Sequence, residues 1–197
     1  MKRLFDIVLS SLGLLLIWPL LIIIAVWIKI TDGGPIFYRG VRVGRYGKHF
    51  RMFKFRSMVV NADKLGGPST AAHDRRFTPI GIFLRKWKLD ELPQLIDVLR
   101  GTMSFVGPRP EVPFYVDMLT EEEKKRILSV RPGITDYASV WNFNEAEVLK
   151  DAPDPEKAYQ EKIWPEKKRL QIQYIQEQSF FTDLKIIFRT VAKVFHS

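Results

Sequence analysis

Lys88-Leu89-Asp90-Glu91-Leu92-Pro93-Gln94-Leu95 sets two adjacent carboxylates between apolar residues, with Arg85, Lys86 and Lys88 at or just upstream of them. Proline is tolerated in the first turn of a helix, where its missing N–H would have no partner anyway. The periodic run Leu92, Leu95, Ile96, Leu99, ended by Gly101, therefore predicts a helix that begins close to Asp90 and Glu91. The positive end of its dipole favours acidic side chains there. Acids at a helix N-terminus are routine, so a sharper role for this pair has to come from what surrounds it.

Working outward towards the amino terminus, residues 79–87 read as a short helix whose apolar positions Ile80, Ile82, Phe83, Leu84 and Trp87 run into the central stretch. Residues 61–78 hold Gly66-Gly67-Pro68 and small polar residues, a loop. His73 and Asp74 sit in it, a pair more often solvated than catalytic. Upstream of the loop, Val41 and Val43 alternate with polar positions and Arg45-Tyr46-Gly47-Lys48 is a turn, which predicts a β-hairpin. Between Gly33 and Val60 there are seven basic residues (Arg39, Arg42, Arg45, Lys48, Arg51, Lys54 and Arg56) and no acidic one. A solvated face normally mixes signs; this one attracts phosphates, from lipid headgroups or from a substrate. Aromatic residues interleave the charges, as in nucleic-acid binders, but the neighbouring apolar segment favours a lipid or metabolite partner.

Residues 12–28 are apolar except for Gly13 and Pro19. Seventeen residues of straight helix span roughly 25 Å, somewhat short of the ~30 Å hydrocarbon core of a bilayer. Pro19 removes a hydrogen bond near the centre and is expected to kink the helix. Lys2 and Arg3 precede the segment and Lys29 follows it, so under the positive-inside rule both flanks prefer the cytoplasmic face. A signal peptide would end in small residues, which Trp27-Ile28-Lys29-Ile30-Thr31 does not supply. A full span would put one basic flank outside. A proline-broken helix that enters and leaves the same leaflet satisfies both flanks.

Towards the carboxyl terminus, Gly107-Pro108-Arg109-Pro110 holds an arginine in a rigid extended frame, where a guanidinium can grip phosphate oxygens. Thr120 with Glu123 forms a capping box. Residues 131–135 read as a turn and residues 151–155 as a further break. The C-terminal portion is helical from about Pro165. Phe181, Leu184, Phe188, Val191 and Phe195 share one face there, the pattern of an in-plane interfacial helix or of a helix packed on its own core.

The whole fits one domain of 197 residues with a net charge of +9, which calls for an anionic partner. With no cysteine, disulfides, thiolate metal sites and thiol nucleophiles are excluded, and three histidines form no zinc pattern. The expected class is α+β and mainly helical, with a re-entrant membrane helix, a small basic hairpin and amphipathic interfacial helices.

Taken in order, the proline-broken apolar segment, Phe53-Lys54-Phe55-Arg56-Ser57-Met58, Leu89-Asp90-Glu91-Leu92-Pro93-Gln94-Leu95, Val98-Leu99-Arg100-Gly101, Met103-Ser104-Phe105-Val106-Gly107-Pro108-Arg109-Pro110 and Arg131-Pro132-Gly133-Ile134-Thr135 resemble the bacterial sugar transferases, the monotopic phosphoglycosyl transferases of surface glycan assembly. The resemblance runs the length of the chain. It implies transfer of a sugar 1-phosphate from a UDP-sugar to polyprenol (undecaprenyl) phosphate, with residues 1–30 as the re-entrant helix and 31–197 as the catalytic domain of one functional unit on the cytoplasmic face of the bacterial inner membrane. It further implies Asp90 as the nucleophile of a covalent intermediate, Glu91 as a ligand of Mg²⁺, and Arg85 and Arg109 as phosphate-handling residues, with Lys54 and Arg56 as further contributors and Pro19 as the kink. Membrane lipids are the expected partners beside the two substrates, a homodimer stays an open option, and nucleic acid is not expected.

The chain departs from the family pattern at Asp136-Tyr137-Ala138-Ser139-Val140-Trp141-Asn142, where many relatives continue with a Gly-Leu/Trp-x-Gln-Val type of sequence, so no relative's sugar preference carries over. Trp18 precedes Pro19 where some relatives have serine. The competing reading from another class is a non-catalytic basic scaffold that docks on anionic lipid.

Overall fold

The structure, a computed structural model, describes residues 1–67, 70, 74–143, 145–150 and 152–195. His73 and Pro68, named above, and the first residue of the break expected at 151–155 lie outside them, as does the side chain of Phe195. The chain is mainly helical: α1 (Lys2–Asp32), α2 (Pro79–Lys86), α3 (Gln94–Arg100), α4 (Pro113–Asp117), α5 (Glu121–Ile127), α6 (Tyr137–Trp141), α7 (Glu145–Val148), α8 (Pro155–Ala158), α9 (Trp164–Glu177) and α10 (Phe180–Phe195). The short strands are β1 (Phe37–Tyr38), β2 (Val41–Val43), β3 (His49–Arg51), β4 (Lys54–Phe55), β5 (Ser104–Val106) and β6 (Gly133–Thr135).

α1 runs as one continuous helix through Pro19. Pro19 lies inside the helix without ending it, because one missing N–H leaves the rest of the hydrogen-bond ladder to carry the helix across. Its mean hydropathy reaches 2.7 and it is long and apolar enough to cross a bilayer. Yet both of its ends are tied to the same globular body. At the start, the Asp6 carboxylate accepts from Ser104 Oγ and from Phe105 N, both at 3.1 Å, and Lys2 pairs with Asp183. At the end, Asp32 pairs with the buried guanidinium of Arg56. Asp6, Ser10, Ile24 and Ile28 form the buried stripe, while Leu12, Leu15, Leu16, Trp18, Ile22, Ile23 and Ile30 face outward uncovered.

The predicted hairpin is present: β2 pairs antiparallel with β3, Val41 opposite Arg51, around a turn at Arg45–Gly47. β1 pairs antiparallel with β4, so that Phe55 turns into a core with Ile24, Ile28, Ile80 and Leu84 and its neighbour Lys54 turns the other way. Residues 131–135, expected to be a turn, instead carry β6, parallel to β5. The two glycines at this crossing explain the difference. A Cβ on Gly133 would fall 2.1 Å from the Gly107 nitrogen, so only glycine lets these backbones approach. A second core joins Val43, Tyr115, Leu119, Ile127, Leu149, Tyr159 and Trp164 beneath α9. The capping box of Thr120 and Glu123 opens α5 as expected. On α10, Asp183 and Ile186 face inward, whereas Phe181, Leu184, Phe188 and Val191 are exposed, so the apolar stripe found in the sequence does not pack on the protein's own core.

Candidate active site

Asp90 and Glu91 lie on a separate 3₁₀ turn, Leu89–Glu91, and not in the first turn of α3 as the periodicity suggested. The cause is Lys88. Its φ of 54° places it in the left-handed region, which ends the α2 segment and redirects the chain before Leu89. Pro93, which has no N–H to give, then precedes the first residue of α3. Gly101, with φ 83°, closes α3 where the sequence placed its stop.

The turn pushes Asp90 inward, to 1% exposure. Lys54 Nζ, projecting from β4, stands 2.8 Å from Asp90 Oδ2 and 3.3 Å from Glu91 Oε1. The contact with Asp90 is an ion pair off the line of a hydrogen bond, so both Asp90 oxygens remain without a hydrogen-bond donor. Gln94, four residues further on, is fully buried with its amide nitrogen and oxygen likewise unpartnered. Buried polar atoms in native proteins are nearly always satisfied, so such a concentration of exceptions marks a place built for something else to bind.

Arg109 closes the other side. One nitrogen of its guanidinium donates to Glu91 Oε1 and the other to the Ile134 carbonyl at 3.0 Å. Its backbone N–H donates to Asp136 Oδ2 at 3.1 Å, and Gln171 Nε2 donates to its carbonyl at 3.4 Å. Asp136 is fully buried and caps α6 through Ser139 N (2.7 Å) and Ser139 Oγ (2.8 Å). Burial pushes the Glu91 carboxyl up, but the charges of Arg109 and Lys54 and the Arg109 hydrogen bond overcome it and hold the group well below the usual carboxylate range. For Arg109, burial favours loss of the proton, and the Glu91 charge beside it more than restores the cation. Lys88 points into the same cluster: its Nζ donates to the Phe143 carbonyl at 2.9 Å, and burial lowers its pKa against the pull of Glu91.

Asp90, Glu91, Lys54 and Arg109 are thus brought together. Arg85, in the last turn of α2, lies over the Phe77 ring at 4.7 Å and donates to Thr70, with no bond to either carboxylate. Arg56 is placed elsewhere. It is 6% exposed and committed to Asp32, to the Pro35 carbonyl at 2.6 Å and to the Met58 carbonyl at 3.3 Å, anchoring the end of α1. Pro19 is on the exposed side of α1. Sequence reasoning named Lys88 only as a basic neighbour of the pair and missed Asp136. Nothing local announces a lysine at positive φ, so the turn that Lys88 makes was not legible. Asp136 did give a signal, a helix-capping acid placed where the family pattern breaks.

Lys54, Lys88 and Arg109 bring three cations to the Asp90–Glu91 pair, and they hold Glu91 ionised. That arrangement suits a phosphoryl compound. The comparison with known proteins agrees: residues 1–197 match the family described as bacterial sugar transferase, and the chain belongs to that family. It is 40% identical over 201 residues to the UDP-glucose:undecaprenyl-phosphate glucose-1-phosphate transferase of Escherichia coli (strain K12), covering 99% of this chain and 40% of that protein. It is 35% identical over 195 residues to the uncharacterized sugar transferase EpsL of Bacillus subtilis (strain 168), covering 98% of this chain and 87% of that one. An Aeromonas hydrophila UDP-N-acetylgalactosamine-undecaprenyl-phosphate N-acetylgalactosaminephosphotransferase is 34% identical over 98% of the chain and 43% of its own length. The chain therefore spans well under half the length of the Escherichia coli and Aeromonas relatives.

Proposed function

We propose that this chain transfers a sugar 1-phosphate from a UDP-sugar to undecaprenyl phosphate through a covalent intermediate on Asp90, the first membrane step of a surface glycan. The observation that carries the reading is Asp90 itself, a buried carboxylate whose Oδ1 has no partner and whose Oδ2 faces the Lys54 ammonium at 2.8 Å. A nucleophile needs lone pairs that no donor occupies, and a diphosphate admits an anionic nucleophile only where cations offset the repulsion. An Asp90 oxygen attacks the phosphorus that carries the sugar, and the bond to the UMP oxygen breaks with its electron pair leaving on UMP. A phosphate oxygen of the polyprenol then attacks the same phosphorus, and the Asp90 carboxylate departs. Two displacements let a soluble and a lipid substrate use one site in turn. Lys54 and Arg109, now offsetting Glu91, exchange that partner for the incoming phosphates, and Lys88 adds a third cation.

Mg²⁺ fits this donor set. The ion is usually held by one or two carboxylates together with substrate phosphates, and among the described residues no group of three or more metal-ligating side chains exists to form an all-protein cage. Glu91 would hold it beside Asp90, where it would offset phosphate charge during transfer.

The membrane placement is part of the same proposal. A transmembrane α1 would carry one end some ~30 Å from a domain on the opposite side. Attachment of Asp6 and of Asp32 to one body instead supports a re-entrant helix, and the uncovered apolar faces of α1 and α10 support contact with lipid. The basic flanks favour the cytoplasmic face.

The test is direct. Purified chain is incubated with a panel of UDP-sugars, UDP-glucose and UDP-N-acetylgalactosamine first, and UMP release is followed with and without undecaprenyl phosphate. Without acceptor, the intact protein is expected to gain the mass of one sugar phosphate. Asp90→Asn is expected to abolish both the mass gain and turnover, and full turnover in that variant would refute the mechanism.

A further inference from the structure

At the end of α3 away from Asp90, a cavity of about 220 Å³ opens between the first turns of α1, the start of β5 and the segment before β6. Lys2, Arg3, Arg45 and Arg131 line it, against the single carboxylate of Asp6. None of these belongs to the Asp90 cluster, and the seven residues of α3 put roughly 10 Å of helix between the two places. The volume is far above the ~10–15 Å³ that one water needs, so a hydrated phosphate group fits.

We propose that this cavity binds the phosphate of an anionic phospholipid headgroup, as a second phosphate site separate from the reaction centre.

The cations already have a structural duty. Arg3 donates to the carbonyls of Val98 (2.6 Å) and Leu99 (2.8 Å), and Arg131 Nε donates to that of Gly101 (2.8 Å), so together they cap the negative end of α3. Arg45 Nε donates to the Ser129 carbonyl at 2.9 Å. That duty leaves most of the charge unanswered. A carbonyl accepts a hydrogen bond without cancelling a formal charge, and these bonds take one or two of the five N–H groups of each guanidinium. Among the described residues no carboxylate pairs with Arg3, Arg45 or Arg131. Lys2 pairs with Asp183, and Asp6 is turned towards Ser104 and Phe105. Three unpaired guanidinium groups around one partly enclosed space favour an anion that can accept several donors at once, and a phosphate does so.

The surroundings select a lipid over free phosphate. Leu4 follows the lining residues Lys2 and Arg3 and is 67% exposed; Phe181, three residues after the lining Gln178, is 81% exposed. An amphiphile would place its phosphate in the cavity and its chains against these side chains. The inference rests on the membrane reading proposed above, and the experiment separates the two.

Full chain is reconstituted on vesicles of phosphatidylcholine alone or of equal parts phosphatidylcholine and phosphatidylglycerol, flotation is checked, and arginines are modified with phenylglyoxal and mapped by mass spectrometry. Arg3, Arg45 and Arg131 are expected to react at least about fivefold more slowly on the phosphatidylglycerol vesicles, while the exposed Arg126 and Arg169 react alike on both. Equal rates at the three cavity arginines on the two vesicles overturn the site. Equal protection by millimolar inorganic phosphate in detergent overturns the lipid assignment. Failure to float with either vesicle overturns the membrane reading and the headgroup site with it. Arg45→Gln is expected to lower partition onto the phosphatidylglycerol vesicles by about fivefold, with partition onto phosphatidylcholine and UMP release in detergent unchanged. Unaltered partition counts against the proposal.

Discussion

Replacing Arg109 by methionine isolates the electrostatics on which the site depends. The change removes the closest cation from Glu91 while keeping most of the aliphatic volume, and Lys54 stays 3.3 Å from the same carboxylate oxygen. Breaking a fully buried pair costs about 3–5 kcal/mol. Here Glu91 is 17% exposed and retains Lys54, so a loss of about 2–3 kcal/mol at neutral pH is expected. The sign with pH follows from the direction of the shift. In the native chain Glu91 is held below its unfolded value of 4.5, so its contribution is present above about pH 4.5 and is lost as pH falls towards the folded pKa. With Arg109 gone, the largest influence that lowers the Glu91 pKa is lost and the folded pKa rises, so the variant takes up the proton at higher pH and escapes part of that loss. The gap between the two proteins therefore narrows below about pH 4.5, by at most about 1.4 kcal/mol per pH unit for one proton. Chemical denaturation in detergent at neutral pH and near pH 3 reads both numbers. The double variant Arg109→Met, Glu91→Gln is expected to recover much of the loss. A gap that is independent of pH, or no recovery in the double variant, would show that Arg109 acts through packing alone.

Asp136→Ala removes the buried acceptor of three hydrogen bonds, from Arg109 N, Ser139 N and Ser139 Oγ; a cost of about 2–4 kcal/mol is expected by thermal melting. Turnover is expected to fall further than stability explains, because Arg109 loses its anchor. Arg56→Met is expected to destabilise the junction of α1 with β4 by about 2–4 kcal/mol and to leave the donor KM close to normal in the folded fraction. An unchanged melting temperature with a raised KM would instead make Arg56 a substrate ligand. Gly133→Ala drives a Cβ to 2.1 Å from backbone, beyond the usual 1–3 kcal/mol of overpacking, and is expected to prevent folding, read as loss of a cooperative melt.

Much of the site was legible because its residues sit in local patterns. The apolar length of α1, the hairpin around Arg45–Gly47, the capping box at Thr120 and the glycine stop of α3 all follow from periodicity and caps within a few residues. Asp90, Glu91, Lys54 and Arg109 were named from motifs and meet in space. Arg56 has the same local character as Lys54, two positions earlier, yet ends on Asp32. Strand alternation alone does not reveal which long-range partner stands opposite.

The chain's own chemistry thus determined the apolar helix, the basic segment beside it, the exclusion of thiol chemistry and the ordered motifs that define its family. Tertiary structure decided the rest: the left-handed Lys88 that turns Asp90 inward, the β5–β6 pairing that brings Arg109 to Glu91, and the outward face of α10. The physical reason is range. Periodicity and capping act over one or two turns, whereas ion pairs and close backbone crossings join residues far apart in the chain. Those partners are known only once the loops between them have closed.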